Sequence, residues 1–409
     1  MPDATPTRKP APRLETAPVR SGAAMPREAL FEPLLFPEAE YRARVDRAQQ
    51  VMRRRRIGAL LVADDRNGFY LGGFGGVQPT AGRTRPRFLV VPARGDPAWL
   101  VHESGALALR EMSWVRDVRT YAEIDRAPVE ALGKLLGAAG VRTIGAELGH
   151  EQRLGLPYVD FERLRTEANR LAFVDASDLL WRLRSIKSPA ELTRLRRAAT
   201  MTGRAYRRAF ARIRPGMTER EVGAAFAAAL AAEGAQATWH DVLTGDYGRP
   251  NGFARNRRLV EGEMVWVDMG ANYAGYWADF SRAGVLGGPT PEQEEMQRRV
   301  VEATAAGVAA IRPGVALHRV AEHLDAVMAR LGLELNRRPG RYGHGLGLAV
   351  TEPPHVAHFD ETTVEPGMVL TVEPGMWTED GMYHCEECLI VKADGAELLS
   401  DYPRDLASL

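Results

Sequence analysis

A five-residue phrase written twice places the strongest limit on what this chain can fold into. Ile213-Arg-Pro-Gly-Met returns as Ile311-Arg-Pro-Gly-Val, 98 positions on. Each copy is followed by apolar side chains at helical spacing: Val222, Phe226 and Leu230 after the first, Val320, Leu324, Met328 and Leu331 after the second. Repetition of a whole supersecondary unit predicts two similar α/β halves that face each other across a sheet, with a site between them.

The residues that suit such a site lie in four short stretches. In MVWVDMGANYAGYWADFSRAG the apolar run 264–267 leads to Asp268, residues 272–275 supply turn chemistry, and 276–280 return past Asp279. An antiparallel hairpin of this kind sets the two carboxylates side by side. Two unshielded carboxylates in one pocket repel unless they are protonated or metallated, so the pair favours divalent cations. His344 stands in RYGHGLGLAV, where Gly343, Gly345 and Gly347 allow close backbone approach to whatever the imidazole binds. Glu373 ends the apolar run 368–372, and Glu386 lies in the strand-like HCEECLIV. The phrase Glu-Pro-Gly-Met also begins at Glu365, but that residue precedes the strand in a turn, so Glu373 is taken as the site residue. All five candidates sit at strand ends or edges, where a rigid scaffold can fix their geometry.

In VDMGANYAGYWADFSR, GHGLGL, TVEPGM and the terminal LIVKADGAE the chain resembles the pita-bread metalloenzymes: methionine aminopeptidase, aminopeptidase P, prolidase and creatinase. RSIKSPAELTRLRRAA resembles the segment that opens their catalytic domain, and the resemblance runs from about Tyr41 onward. It implies an α/β (α+β) fold in which a creatinase-like N-terminal α/β domain precedes a pita-bread catalytic domain with an internal pseudo-twofold repeat. It further implies two divalent ions (Mn, Co, Zn or Fe) bridged by Asp279 and Glu386, with Asp268 on one ion and His344 and Glu373 on the other. A hydroxide between the ions would attack the amide bond of an Xaa-Pro dipeptide or short peptide, and Glu373 would take up and pass on its proton. Relatives of this kind pair as homodimers.

Two positions depart from the peptidase pattern. Where the peptidases carry two further histidines near the metals, this chain has Asn251 and Thr351. An amide and a hydroxyl hydrogen-bond an oxyanion, but neither protonates a leaving amine. His240, His355 and His358 are the imidazoles within sequence reach, and His240, Asn251, Thr351 and Glu373 form the candidate catalytic set. Metal-dependent hydrolysis or lyase cleavage of a small non-peptide molecule therefore stays open, as does a binding protein without catalysis.

Composition fits a soluble two-domain enzyme of 409 residues. With 54 basic against 53 acidic residues there is no field of one sign to recruit nucleic acid or an acidic membrane. No apolar run reaches the length of a membrane span and the N-terminus lacks a signal-peptide core, which makes the cytoplasm the expected location and a small molecule or short peptide the expected partner. Residues 1–27 read as a disordered tail, 28–182 as the N-terminal domain and 183–409 as the catalytic domain. Within the second block, 41–55 is expected to be helical, with 57–63 and 87–91 as strands. The glycines at 72–76 do not match a nucleotide fingerprint and read as a flexible turn, and the four arginines at 53–56 as a solvated helix end. Cys385 and Cys388, three apart in a strand, should face opposite ways and stay reduced.

Overall fold

A computed structural model of the chain describes residues 35–74, 85–138, 140–167, 171–245, 254–333 and 340–409. The expected tail at 1–27 and Asn251 lie outside the described residues. The 41–55 pattern becomes α1 (Glu38–Arg55), which buries Tyr41, Val45, Ala48 and Met52 as one stripe. Its last turn carries Arg53, Arg54 and Arg55 where the helix dipole favours cations, and Arg56 ends it at φ 58°.

The chain continues through β1 (Ala59–Val62), α2 (Asp65–Gly72), β2 (Phe88–Pro92), β3 (Ala98–His102), α3 (Glu103–Met112) and β4 (Asp117–Tyr121). Then come α4 (Val129–Ala138), β5 (Thr143–Ala146), α5 (Tyr158–Glu167), β6 (Ala172–Asp175) and α6 (Ser177–Ser185). The six strands form one mixed sheet in the order β4-β3-β2-β1-β5-β6. Of the glycine run at 72–76, Gly75 and Gly76 lie outside the described residues, and Gly72 is no flexible turn: it closes α2, and a Cβ there would come within 2.3 Å of the Trp99 ring. Gly73 caps the same helix at φ 78°.

The second domain opens with α7 (Pro189–Phe210) and α8 (Glu219–Ala232), followed by β7 (Ala237–Thr244), β8 (Met264–Tyr273), β9 (Tyr276–Trp277) and β10 (Phe280–Val285). A second round follows: α9 (Pro291–Ala310), α10 (Leu317–Arg330), β11 (His344–Gly345), β12 (Glu352–His355) and β13 (Val369–Val372). The chain ends through β14 (Gly375–Trp377), β15 (Met382–His384), β16 (Glu387–Lys392), β17 (Gly395–Leu398) and β18 (Ala407–Ser408). Helix starts are written in the sequence: Ser188 with Glu191, Thr218 with Glu221 and Thr290 with Gln293 each close a capping box.

The doubled phrase is a doubled structure. In each copy proline stops the preceding helix and glycine turns the chain in the left-handed region, Gly216 at φ 86° and Gly314 at φ 88°. The Gly216 N–H donates to Leu259 O at 2.8 Å, and the Gly314 N–H to Val364 O at 2.9 Å. Each helix pair covers the outer face of its own sheet. Val267, Met269 and Phe280 pack on Tyr206 and Phe226 of α7 and α8, whereas Leu370 and Val372 pack on Val320 and Leu324 of α10. Burying each such side chain contributes roughly 1.5–3 kcal/mol. The inner faces are left for polar groups.

Leu34–Leu409 form one compact unit, and its largest core is shared between the domains: Phe36, Tyr41 and Trp99 pack with Leu195, Leu346 and Ile390. Arg184 also bridges them, donating to Asn67 Oδ1 at 2.8 Å and to the buried Glu352. Cys388, on β16, belongs to this shared core and Cys385, between β15 and β16, to a different one beside Met264 and Trp266, so the two free thiols face apart.

Candidate metal centre

Alternation along β8 puts Asp268 on the same face as Met264 and Trp266, and Ser281 of β10 lies directly opposite it. Asp279 stands two residues before Ser281 and so shares that face as the diagonal neighbour of Asp268. The expected turn is real: Ala274 and Gly275 lie at φ 51° and 88°, and Asn272 Oδ1 accepts from the Gly275 N–H at 3.1 Å. The return strand can press this close because position 270 is glycine; a Cβ there would lie 1.8 Å from the Ala278 carbonyl oxygen.

The second sheet supplies the rest. Gly343 lets the chain pass Thr371, whose carbonyl oxygen lies 2.0 Å from where a Cβ would be, and the His344 N–H donates to Thr371 Oγ1 at 3.1 Å. His344 Nδ1 meets the Gly345 carbonyl at 3.0 Å. A carbonyl only accepts, so Nδ1 carries the proton and Nε2 offers its lone pair. That lone pair faces Asp279 Oδ2 at 3.4 Å and Glu373 Oε1 at 3.6 Å. Asp279, His344 and Glu386 each offer a ligand atom within 4.8 Å of the others, and Asp268 stands beside Asp279 on the same face of the hairpin. The two acids and the histidine of three separate stretches thus meet, with Asp268 and Glu373 at the rim of the group. Glu365, the alternative to Glu373, is engaged elsewhere with the Arg182 guanidinium.

The donor chemistry fits divalent ions. Asp268 Oδ1, Asp279 Oδ1 and both carboxyl oxygens of Glu386 are buried without a hydrogen-bond partner among the described residues, a cost natural proteins rarely accept without a ligand to meet it. Burial pushes Asp268 up to about 8 and Glu373 up to about 7, and burial with the neighbouring carboxylates drives Asp279 and Glu386 well above the ordinary range. Burial, then Arg341, holds His344 down at about 3, neutral and ready to ligate. Without ions the folded state keeps protons on these acids that the unfolded chain releases at ordinary carboxylate pH. Folded protein then binds more protons than unfolded, and stability falls as pH rises from about 4 through about 8. Chelation is therefore expected to lower the melting temperature more at pH 8 than at pH 6, by roughly 5–10 °C at the higher pH, with recovery when Mn or Zn is returned. Thermal scans at both pH values check this; an equal effect of the chelator at both contradicts it.

The remaining expected residues divide. His240 lies on β7 opposite Met269, and its ring rests against Gly223 of α8, so it points into the helix layer and away from the acids. The alternation of β7 gives the reason: Asp241, not His240, is the residue registered on Asp268. His358 bonds Asp325 at 3.0 Å. Thr351 does approach the centre, 3.4 Å from Arg341 Nη2, and Arg341 Nε lies 3.9 Å from Glu373 Oε1. Two side chains were missed. His384, buried between Trp266 and Ser281, donates Nε2–H to the Glu373 carbonyl at 3.0 Å and accepts from Trp266 Nε1 at 3.3 Å. Burial holds it down at about 4, so it supports Glu373 as a neutral ring. Its place two residues before Glu386 was the available signal. Arg341, three residues before His344, carried no such signal.

Comparison with known proteins agrees with this geometry. Residues 193–393 match the model of metallopeptidase family M24, and 44–186 match the creatinase/prolidase N-terminal domain. The chain is 31% identical to the probable dipeptidase PepE of Mycobacterium tuberculosis, covering 78% of this chain and 84% of the relative. It is 28% identical to an Xaa-Pro dipeptidase of Pyrococcus horikoshii, over 89% of this chain and 98% of the relative. The solved dipeptidase PepE from Mycobacterium ulcerans superposes with a TM-score of 0.79 at 28% identity, covering 91% of this chain and 99% of that one. The prolidase from Pyrococcus horikoshii superposes with a TM-score of 0.77 at 27% identity, covering 89% and 99%. The chain belongs to metallopeptidase family M24: it is a metallohydrolase with a creatinase-like N-terminal domain and a pita-bread catalytic domain. Among the described residues no helix is long and apolar enough to cross a membrane.

Proposed function

We propose that this chain is a two-metal peptidase that hydrolyses the amide bond of Xaa-Pro dipeptides or short peptides. The convergence of Asp279, His344 and Glu386, with buried oxygens on Asp268, Asp279 and Glu386 that have no hydrogen-bond partner among the described residues, carries the reading. Relatives whose names specify Xaa-Pro dipeptidase and prolidase support the substrate class. Asp268, Asp279, His344, Glu373 and Glu386 would hold divalent ions, which would supply Lewis acidity toward the scissile carbonyl and lower the pKa of an attacking water.

The chain's own groups do the rest. Glu373, at 19% side-chain exposure against 3% for Asp279, is the acid that meets an incoming molecule, and it takes the proton released on attack. His384 fixes the Glu373 backbone through the carbonyl it bonds. Thr351 and Arg341 offer donors at the rim, where negative charge develops on the substrate.

One observation favours a second reading, cleavage of a small non-peptide molecule: Thr351 stands where an imidazole would protonate a leaving amine, and its hydroxyl cannot. Metal-loaded protein given Xaa-Pro dipeptides beside a panel of small amides and sulfonium compounds separates the two. Release of proline is expected; turnover of another compound with no proline release would replace the first reading by the second. Metal analysis of the purified protein disposes of a non-catalytic role if about two ions per chain are found.

A further inference from the structure

Strand β7, at the edge of its sheet, carries an acid on the side of the candidate centre that nothing nearby neutralises. Register sets Asp241 opposite Asp268 and Trp239 opposite Gly270, so both side chains stand on the face of the sheet that bears Asp268. Asp241 is exposed, and among the described residues its carboxylate forms no ion pair or hydrogen bond. Folding gains nothing from that charge, because a further carboxylate beside buried acids only adds repulsion. His240, the expected member of the catalytic set, faces the helices, and its neighbour takes the site face.

Trp239 supplies the surface next to it. Its Nε1 lies 2.6 Å from where a Cβ of Gly270 would be, so the indole reaches across the site face of β8 and depends on the missing side chain for room. That nitrogen is buried and has no hydrogen-bond partner among the described residues. An apolar ring with an acid two residues further along the same strand, roughly 6.7 Å away, is a surface in two parts. Lysine and arginine side chains match it, with an aliphatic stem to lie on the ring and a cationic head for the carboxylate. A cation held against an indole gains further attraction from the ring. The spacing also suits a side chain better than a main-chain amine. In an Xaa-Pro molecule whose scissile carbonyl lies at the centre, the α-amino nitrogen is only two bonds from the carbonyl carbon and stays beside Asp268. The head of a basic side chain is far enough along to span the strand spacing of about 4.8 Å to β7.

Resting on the peptidase reading above, we propose that Asp241 and Trp239 set the preference of this enzyme for the residue before the scissile bond, selecting a basic side chain whose stem lies on the Trp239 ring and whose charge meets Asp241. Both are specificity residues that touch the substrate, and neither takes part in proton transfer or ion binding. The same carboxylate turns away an acidic side chain, so the preference runs in two directions.

The test compares lysyl-proline with norleucyl-proline, which has the same stem without the charge, on metal-loaded full-length protein with ion content measured alongside. Wild type is expected to prefer the lysyl compound by roughly 3- to 30-fold in kcat/KM. Raising the salt from about 0.01 M to about 1 M should shrink that preference, since it shortens the Debye length from about 30 Å to about 3 Å. D241N should bring the ratio close to one at unchanged ion content, and W239L should lower it by roughly 2- to 5-fold through the lost ring. With glutamyl-proline against glutaminyl-proline the order reverses: wild type disfavours the acid, and D241N relieves this. A wild-type ratio near one, or a ratio that D241N leaves intact, reduces Asp241 to an edge-strand charge and overturns the proposal; loss of ions from D241N overturns it too, by making Asp241 a ligand. If wild type cleaves none of the four compounds, the peptidase reading fails and the subsite is judged by calorimetry with lysyl-proline and norleucyl-proline. Tighter binding of the lysyl compound that D241N abolishes sustains it, and equal binding removes it.

Discussion

Glu373→Gln is expected to lower kcat by at least roughly 10³-fold while leaving the fold in place. The change keeps the shape of the side chain and removes its ability to accept a proton. General base catalysis by a positioned carboxylate contributes about 10²–10⁴-fold, and the loss of one negative oxygen donor weakens the hold on cations as well. Folding should be spared because the structural bonds at this position belong to the backbone: the Glu373 N–H donates to Tyr342 O at 2.9 Å, and its carbonyl accepts from His384. Steady-state turnover with ion content and a melting curve on the same sample checks both halves. Turnover within tenfold of wild type, with ions retained, would remove Glu373 from the proton pathway.

Arg282→Met is expected to destabilise the protein by about 3–5 kcal/mol, the usual cost of stranding one member of a buried ion pair. Arg282 and Glu387 are both about 1% exposed, and they meet at 2.8 Å. The same guanidinium donates to the carbonyls of Ser281, Glu386, Tyr402 and Pro403, so all its donors are used. Without it, Glu387 keeps Arg404 at 2.9 Å, and the Glu386 backbone loses the bond that holds it beside Asp279. Pairing Arg282→Met with Glu387→Gln should recover part of the loss, because the stranded charge is then gone. Denaturant midpoints on the four proteins measure this; a single variant as stable as wild type would show that the pair is dispensable.

The doubled Arg-Pro-Gly phrase, the capping boxes and the apolar periodicity were legible along the chain because each depends on residues within a turn or two of one another. Glu373 was legible for a related reason: an acid that ends a strand before a turn stands at the strand's end whatever else surrounds it, whereas the other four candidates were legible from their motifs. The hairpin reading set Asp268 and Asp279 side by side, and the register makes them diagonal neighbours on one face, with Ser281 directly opposite Asp268. A two-residue offset of register keeps every side chain on its own face, so it is invisible to a pattern whose period is two. His240 failed similarly, since its face of β7 was set by pairing with β8.

Local order in the chain by itself determined two repeated halves, their helix starts and the hairpin, all products of short-range sterics and alternation, and its motifs marked the five candidate ligands. Only the tertiary structure decided that Asp279, His344 and Glu386 meet within 4.8 Å, that His384 backs Glu373, and that Glu151 reaches across to His355 and Arg341. Those contacts join residues far apart in sequence, and they exist because two helix-backed sheets and a shared interdomain core close around a small polar interior, which no local signal encodes.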